Sequence, residues 1–343
     1  MKLNGAEILI RELSLNGVTE LFGYPGASVL PVYDALYDCK DIKHILAVSE
    51  SGAVFMADGY ARASGRVGVC LATSGPGATN LVTGIAGAFM DSIPLVVITG
   101  NVPIDVLGHD AFQEVDTSGI TMPITKYNFI VKDVSDLATT IARAFELAES
   151  GRKGPVVVDI PTNVFTETEE FVPISAKTAK SFPIDEAELL AAATLINNAK
   201  RPVVYAGGGV ISSGATDALK TFVEKLSAPV AVSMMGLGAI DCNSKYYFGV
   251  GTSKNRLAKK VLSNCDLFIC LGARLSNKAL EQNFTSKKTK LLHIDIDRAE
   301  IGKNISEDCR IVGDLSEVLL RLIKSVNKKN DEWLNTVISI KVV

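Results

Sequence analysis

The feature that most restricts the fold is a recurring pattern. Short, continuous apolar runs end in small-residue turns and give way to helical stretches. Ile45–Val48, Val67–Ala72, Leu95–Thr99, Pro155–Ile160, Pro202–Ala206, Pro229–Ser233 and Leu267–Leu271 are such runs, and Lys290–Ile296 reads as a further strand. A strand that is apolar on every residue has both faces covered, as in a parallel sheet flanked by helices. The alternation therefore predicts an α/β chain of doubly wound parallel sheets. Ile45–Val48 is expected to be a buried strand. Asn4 is placed to cap a helix carrying Ala6, Leu9, Ile10 and Leu13 on one face, which Gly17 ends. Helices are also expected over Ser28–Tyr37, Leu81–Met90 and Val134–Ser150, and a short strand over Phe129–Val131. Asp105–Thr125 lacks clean periodicity and reads as a long functional loop.

At 343 residues the chain suits two domains. The stretch 166–185 is rich in Thr, Glu, Lys and Pro, lacks an apolar face, and reads as a linker. It separates a domain over 1–165 from a second over 186–328, with a tail over 329–343. With 47% hydrophobic and 21% charged residues the chain is expected to pack rather than stay disordered. A net charge of −3 without a basic stripe gives no expectation of a nucleic-acid partner. The six cysteines are scattered with no CxxC pair, so no metal site is expected and a reducing, cytoplasmic setting is. No run is long enough for a membrane span, and the charged N-terminus is not a signal peptide.

One acid stands out. Glu50 follows the run Ile45–Val48 and opens a stretch with Ala53, Val54, Ala57, Tyr60 and Ala61 at helical spacing, closed by Gly65. The next run, Val67–Ala72, enters the turn Thr73-Ser74-Gly75-Pro76-Gly77. Ligands of open α/β sheets sit at the carboxyl ends of strands, so the acid and the flexible turn share one rim. On its own, Glu50 is more simply read as an exposed helix-start acid, which the helix dipole favours.

The surrounding motifs change that. Phe22-Gly23-Tyr24-Pro25-Gly26 with Leu30-Pro31-Val32-Tyr33-Asp34, Ala57-Asp58-Gly59-Tyr60-Ala61-Arg62, Thr73 to Asn80, Asp110-Ala111-Phe112-Gln113-Glu114 and Thr125-Lys126-Tyr127-Asn128-Phe129 occur in order. Together they resemble the acetohydroxyacid (acetolactate) synthase family of thiamine-diphosphate (ThDP) enzymes. The resemblance covers nearly the whole chain and implies a pyrimidine-binding domain followed by a Rossmann-like, FAD-binding-type domain. It implies that Glu50 is the carboxyl that drives tautomerisation of the cofactor's aminopyrimidine, a task that needs an apolar site of raised proton affinity. Ser49 and Ser51 flank it where relatives often carry His and Gln. By the same likeness Tyr24, Pro25, Gly26, Thr73, Pro76, Gly77 and Asn80 would line the cofactor. Phe112 and Gln113 would reach the reacting centre of a partner subunit, and Lys126 would lie near the substrate channel. Read without the likeness, Phe112 is as well explained by core packing, Lys126 by the surface, and His109 as a structural or solvated loop imidazole.

In the second domain Gly207-Gly208-Gly209 follows a strand, with Gly214 beyond. It could be a dinucleotide turn or a generic glycine turn; it is not a full G-x-G-x-x-G. Met235-Gly236, Gly251-Thr252, Gly272-Ala273-Arg274 and Asp295-Ile296 also fall at strand ends. The resemblance implies that these positions, with Asp314, hold a structural FAD. Leu275-Ser276-Asn277-Lys278 departs from the family, which has a hydrophobic residue, two Asp and an Arg there. Lys278 can offer the substrate carboxylate charge but not a planar fork. Phe248 to Thr252 also lacks an expected Met and His.

The family's third domain, whose Gly-Asp-Gly segment and downstream Asn hold Mg²⁺ and the diphosphate, is not recognisable here. Gly313-Asp314-Leu315 lacks the Asn and acidic run that should follow. Mg²⁺ is thus expected through that missing domain, and this polypeptide alone is expected to be inactive. The complete enzyme would decarboxylate pyruvate and join it to a second 2-ketoacid for branched-chain amino-acid synthesis. A homodimer or tetramer, with a possible small regulatory subunit, is implied. The alternatives are another ThDP decarboxylase or carboligase without FAD, or a non-catalytic nucleotide-binding fragment.

Overall fold

Asn4 caps the first helix, Gly5–Leu15, through a reciprocal pair. Its side chain accepts from the Glu7 amide and the Glu7 carboxylate accepts from the Asn4 amide, each at 2.9 Å. The structure is a computed structural model that describes residues 1–174, 183–251, 255–276 and 289–341. The chain divides into two units, Met1–Lys180 and Ser181–Val343.

In the first unit the strands are β1 (Lys2–Asn4), β2 (Glu20–Gly23), β3 (Lys43–Leu46), β4 (Gly68–Ala72), β5 (Leu95–Asn101), β6 (Tyr127–Ile130), β7 (Pro155–Pro161) and β8 (Thr168–Glu170). Six of them form a parallel sheet in the order β3-β2-β4-β5-β7-β6. β4, β5 and β7 are buried at every residue, as their continuous apolar runs require. Leu9, Leu13, Val32, Ile141 and Phe145 cover one face. Val54, Ala57, Leu81, Ile85 and Ala88 cover the other. Each large side chain so buried contributes roughly 1.5–3 kcal/mol.

Three expectations need correction here. The run Ile45–Val48 is not a buried central strand. β3 ends at Leu46 on the edge of the sheet, and Leu46 and Val48 are 63% and 93% exposed. An edge strand is paired on one side only, so an apolar run there need not be covered. Nor is 166–185 wholly a linker. Thr168–Glu170 pairs antiparallel with Lys2–Asn4, and the Phe171 amide donates to the Met1 carbonyl. Asp185 already caps the next helix, Glu186–Asn198. The stretch 105–125 also contains a short helix, Thr117–Thr121, that the absence of periodicity concealed.

The second unit holds β9 (Pro202–Ala206), β10 (Val230–Val232), β11 (Tyr247–Val250), β12 (Leu267–Leu271), β13 (Lys290–Asp295) and β14 (Cys309–Val312). They form a parallel sheet in the order β11-β10-β9-β12-β13-β14. The tail is part of this unit rather than an appendage. Its helix, Glu332–Lys341, buries Leu334 and Val337 in the core, and the Trp333 indole donates to the Pro202 carbonyl at 3.1 Å.

Glu12 sits fully buried on the first helix, and its carboxylate oxygens make no hydrogen bond of ordinary geometry among the described residues. Burial pushes its carboxyl from 4.5 up to about 7, against the weaker pull of the Ile174 backbone and the Asn16 side chain. The native state therefore keeps a proton that the unfolded chain releases, so stability falls as pH rises from 4.5 to about 7 and is level above. The total is on the order of 3 kcal/mol. Glu12→Gln is expected to remove this slope. Denaturant midpoints across pH should show the variant ahead of wild type above pH 7 and level with it near pH 4.5; parallel curves would contradict the assignment.

Candidate functional site

In each sheet the chain lays strands to one side of its first strand, then returns to the other side. The reversal falls between β2 and β4 in the first unit and between β9 and β12 in the second. Such switch points open a crevice at the strands' carboxyl ends. The turns after β2 and β4 carry Tyr24-Pro25-Gly26 and Thr73 to Gly77. Those after β9 and β12 carry Gly207 to Gly209 and Gly272-Ala273-Arg274.

Glu50 is the first residue of the helix Glu50–Ser64, which Ser49 caps by accepting from the Gly52 amide at 3.2 Å. A helix-start acid is usually exposed, yet Glu50 is 9% exposed. The Asn80 side-chain amide donates to its Oε2 at 3.0 Å, and the Ser51 hydroxyl donates to the Asn80 carbonyl at 2.8 Å. Its Oε1 lies 3.5 Å from where a Cβ on Gly77 would stand. Behind it, Tyr33 and His44 meet edge to face with ring centroids 5.0 Å apart. Burial raises the Tyr33 phenol above its ordinary value, with Cys70 and Glu50 adding to the effect, and burial lowers the His44 imidazole. Both are thus held neutral.

The two turns of this crevice are stitched by hydroxyls. Ser28 Oγ lies 2.8 Å from Thr73 Oγ1 and accepts from the Ser74 amide at 2.9 Å. A Cβ on Gly26 would stand 2.5 Å from Thr73 Cβ, and one on Gly77 would stand 2.6 Å from Thr73 Cγ2, so only glycine permits this approach. Gly75 has φ +57°, and a Cβ there would meet the Gln113 carbonyl oxygen at 2.5 Å. The loop carrying Gln113 is wound around Glu114, whose carboxylate accepts from the Gly108 and Ala111 amides and is held below its usual range by them. Asp110 and Gln113 adopt positive φ, a conformation that non-glycine residues rarely take. Phe112 is 87% exposed, so core packing does not account for it.

Contacts therefore link Gly26, Thr73, Gly77, Glu50 and Asn80 in one chain, and bring Gln113 against Gly75. Tyr24, Pro25 and Pro76 are exposed at the same turns. Lys126 is engaged elsewhere among the described contacts: its ammonium donates to the Leu147 and Ser150 carbonyls at the end of the helix Leu137–Glu149. The sequence reading missed Ser28, Tyr33, His44 and Ser51. The available signal was a polar side chain inside or next to an apolar run.

In the second unit the glycines first serve packing. A Cβ on Gly207 would stand 2.1 Å from the Gly272 carbonyl oxygen, and one on Gly236 2.2 Å from that of Ala206. The Gly207 and Gly209 amides donate to the Leu271 and Gly272 carbonyls. Met235 packs over Gly208, and Gly251 faces the Tyr205 ring. Ala273 is buried, while Arg274 and Ile296 are half-buried. Buried Asp295 accepts from the Asp297 amide at 2.9 Å. Asp314 caps the helix Leu315–Ser325 by accepting from the Ser316 amide. Thr252 and Lys278 lie outside the described residues. Among the described residues no group of three or more metal-donor side chains comes together, and no helix is long and apolar enough to cross a membrane.

Ser28→Ala is expected to leave the buried Ser74 amide without its partner, while the Thr73 hydroxyl keeps only the Ser28 amide at 3.3 Å, at a cost of about 1–3 kcal/mol. A lowered urea midpoint together with faster hydrogen exchange at the Ser74 amide is the expected outcome.

Comparison with known proteins agrees with this geometry. The family described as "Thiamine pyrophosphate enzyme, N-terminal TPP binding domain" matches residues 3–120, and "Thiamine pyrophosphate enzyme, central domain" matches 189–322. The chain is 42% identical over 351 residues to the acetolactate synthase large subunit of Parasynechococcus marenigrum, covering 98% of this chain and 57% of that protein. It is 43% identical over 356 residues to the probable acetolactate synthase large subunit of Methanocaldococcus jannaschii, covering 99% and 59%. It is 43% identical over 337 residues to the acetolactate synthase isozyme 1 large subunit of Escherichia coli, covering 97% and 60%. The chain thus spans somewhat under two thirds of the length of these relatives. Two parallel sheets with their switch-point turns, matched in order by these two families, make the chain a member of the thiamine pyrophosphate enzymes, carrying their N-terminal and central domains.

Proposed function

We propose that this chain forms the cofactor-activating part of an acetolactate synthase, which decarboxylates pyruvate and joins the remainder to a second 2-ketoacid. The observation that carries the reading is Glu50, a buried carboxylate at the switch-point crevice, facing a strip of glycines. Side chains on Gly26 or Gly77 would collide with Thr73, so these glycines let the two turns close beside Glu50, where the ring would be held. Thiamine diphosphate, when bound, supplies the electron sink for decarboxylation. Glu50 would hold and exchange a proton with its pyrimidine ring, Thr73 and the Gly26 turn would orient that ring, and Phe112 and Gln113 would help exclude water. The described residues offer no donor set for Mg²⁺, so no step is assigned to it in this chain.

Exposed apolar side chains support assembly with a second copy. Phe55 and Met56 lie exposed on the Glu50 helix, and a Cβ on Gly59 or Gly87 would meet nothing, which leaves room for close helix approach. The reading includes a homodimer or tetramer, in a cytoplasmic biosynthetic setting that leaves room for a small regulatory subunit. For the second unit, exposed Met234, Met235, Leu237 and Ile211 beside the glycine turns suit a flat apolar ligand, here a structural FAD. A flavin-free ThDP carboligase is the second reading, favoured by the internal engagement of the Gly207 and Gly209 amides. Flavin absorbance in the gently purified protein separates the two.

The deciding experiment uses the chain completed with a relative's diphosphate-binding region. Glu50→Gln should slow C2–H exchange of bound ThDP by roughly 100-fold or more. Unchanged exchange would remove the catalytic assignment.

A further inference from the structure

Resting on that reading, we propose that Asn80, anchored by Ser51, is a positioning residue that selects which oxygen of Glu50 carries the working proton. The two oxygens have unlike surroundings. Oε2 receives the Asn80 Nδ2–H at 3.0 Å, whereas Oε1 lies toward Gly77, 3.5 Å from where a Cβ would stand. A protonated carboxyl also has two unlike oxygens, one an acceptor and one a donor. The carbonyl oxygen of a protonated carboxyl accepts better than its hydroxyl oxygen, so the Asn80 N–H favours an unprotonated Oε2. With Asn80 in place the proton therefore belongs on Oε1, on the side of the glycine strip. The Asn80 amide is thus a carboxylate-orienting group rather than a direct cofactor ligand.

The selection depends on Asn80 being fixed. Asn80 is the last residue of a five-residue helix, Pro76–Asn80, where terminal carbonyls have no partner within the helix. The Ser51 hydroxyl donates to the Asn80 carbonyl at 2.8 Å. Ser51 follows Glu50 directly on the other helix, so neighbouring residues grip Asn80 twice, once through its side chain and once through its backbone. This closes a small ring of contacts between the start of one helix and the end of another. A hydroxyl at position 51 is long enough to reach that carbonyl.

Two measurements test this. In the chain without cofactor, the Asn80 side-chain amide protons are read by ¹⁵N-resolved NMR. One of them should be shifted downfield and slow to exchange in wild type, and should lose both properties in Glu50→Ala. In the chain completed with a relative's diphosphate-binding region, Asn80→Ala should slow C2–H exchange of bound ThDP by roughly tenfold at unchanged ThDP affinity, less than the ~100-fold typical of the proton-transfer group itself. Ser51→Ala, which leaves Asn80 intact, should slow exchange in the same direction by less and serves if Asn80→Ala fails to fold. Wild-type exchange rates in both variants, or an Asn80 amide indifferent to Glu50→Ala, would overturn the proposal. Wild-type exchange in Glu50→Gln would instead overturn the thiamine reading beneath it.

Discussion

The structure depends on how closely two backbone turns approach at the point where a parallel sheet reverses its strand order. In the first unit Gly26 lies against Thr73. In the second Gly207 lies against the Gly272 carbonyl. A single methyl group at any of these glycines would stand closer than side-chain carbons tolerate. The crevice at each reversal is shaped by this contact, and each set of candidate residues gathers around it.

The two crevices are not equally furnished. The first holds a buried carboxylate, a hydroxyl pair across the turns and neutral Tyr33 and His44 behind. Desolvation there strengthens each remaining hydrogen bond. The second has glycines with two amides turned inward and exposed methionines at the rim. Shape and apolar contact dominate there.

The central strands were legible because a run such as Leu95–Thr99 is apolar at every position, and only a covered strand tolerates that. The edge strand was misread for the same reason: apolar content at Leu46 and Val48 does not reveal that one side lacks a partner. Thr168–Glu170 looked like linker because a surface ladder needs no apolar face, and its partner lies at the other end of the unit. The candidate acid could be singled out from its turn and helix. The hydrogen bonds that orient it could not, since Glu50 and Asn80 lie thirty positions apart in sequence and the Ser51 contact is made through a main-chain carbonyl. The hydrogen bonds of Lys126 to the Leu147 and Ser150 carbonyls were likewise not legible, since both partners are main-chain atoms more than twenty positions away.

The short ladder between Lys2–Asn4 and Thr168–Glu170 has a consequence for modularity. It brings the first and last strands of the unit side by side. A domain whose two ends adjoin can be cut out, relinked or inserted into another chain without disturbing its interior. The α/β unit is in that sense a cassette, clasped shut at the seam where it enters and leaves the polypeptide.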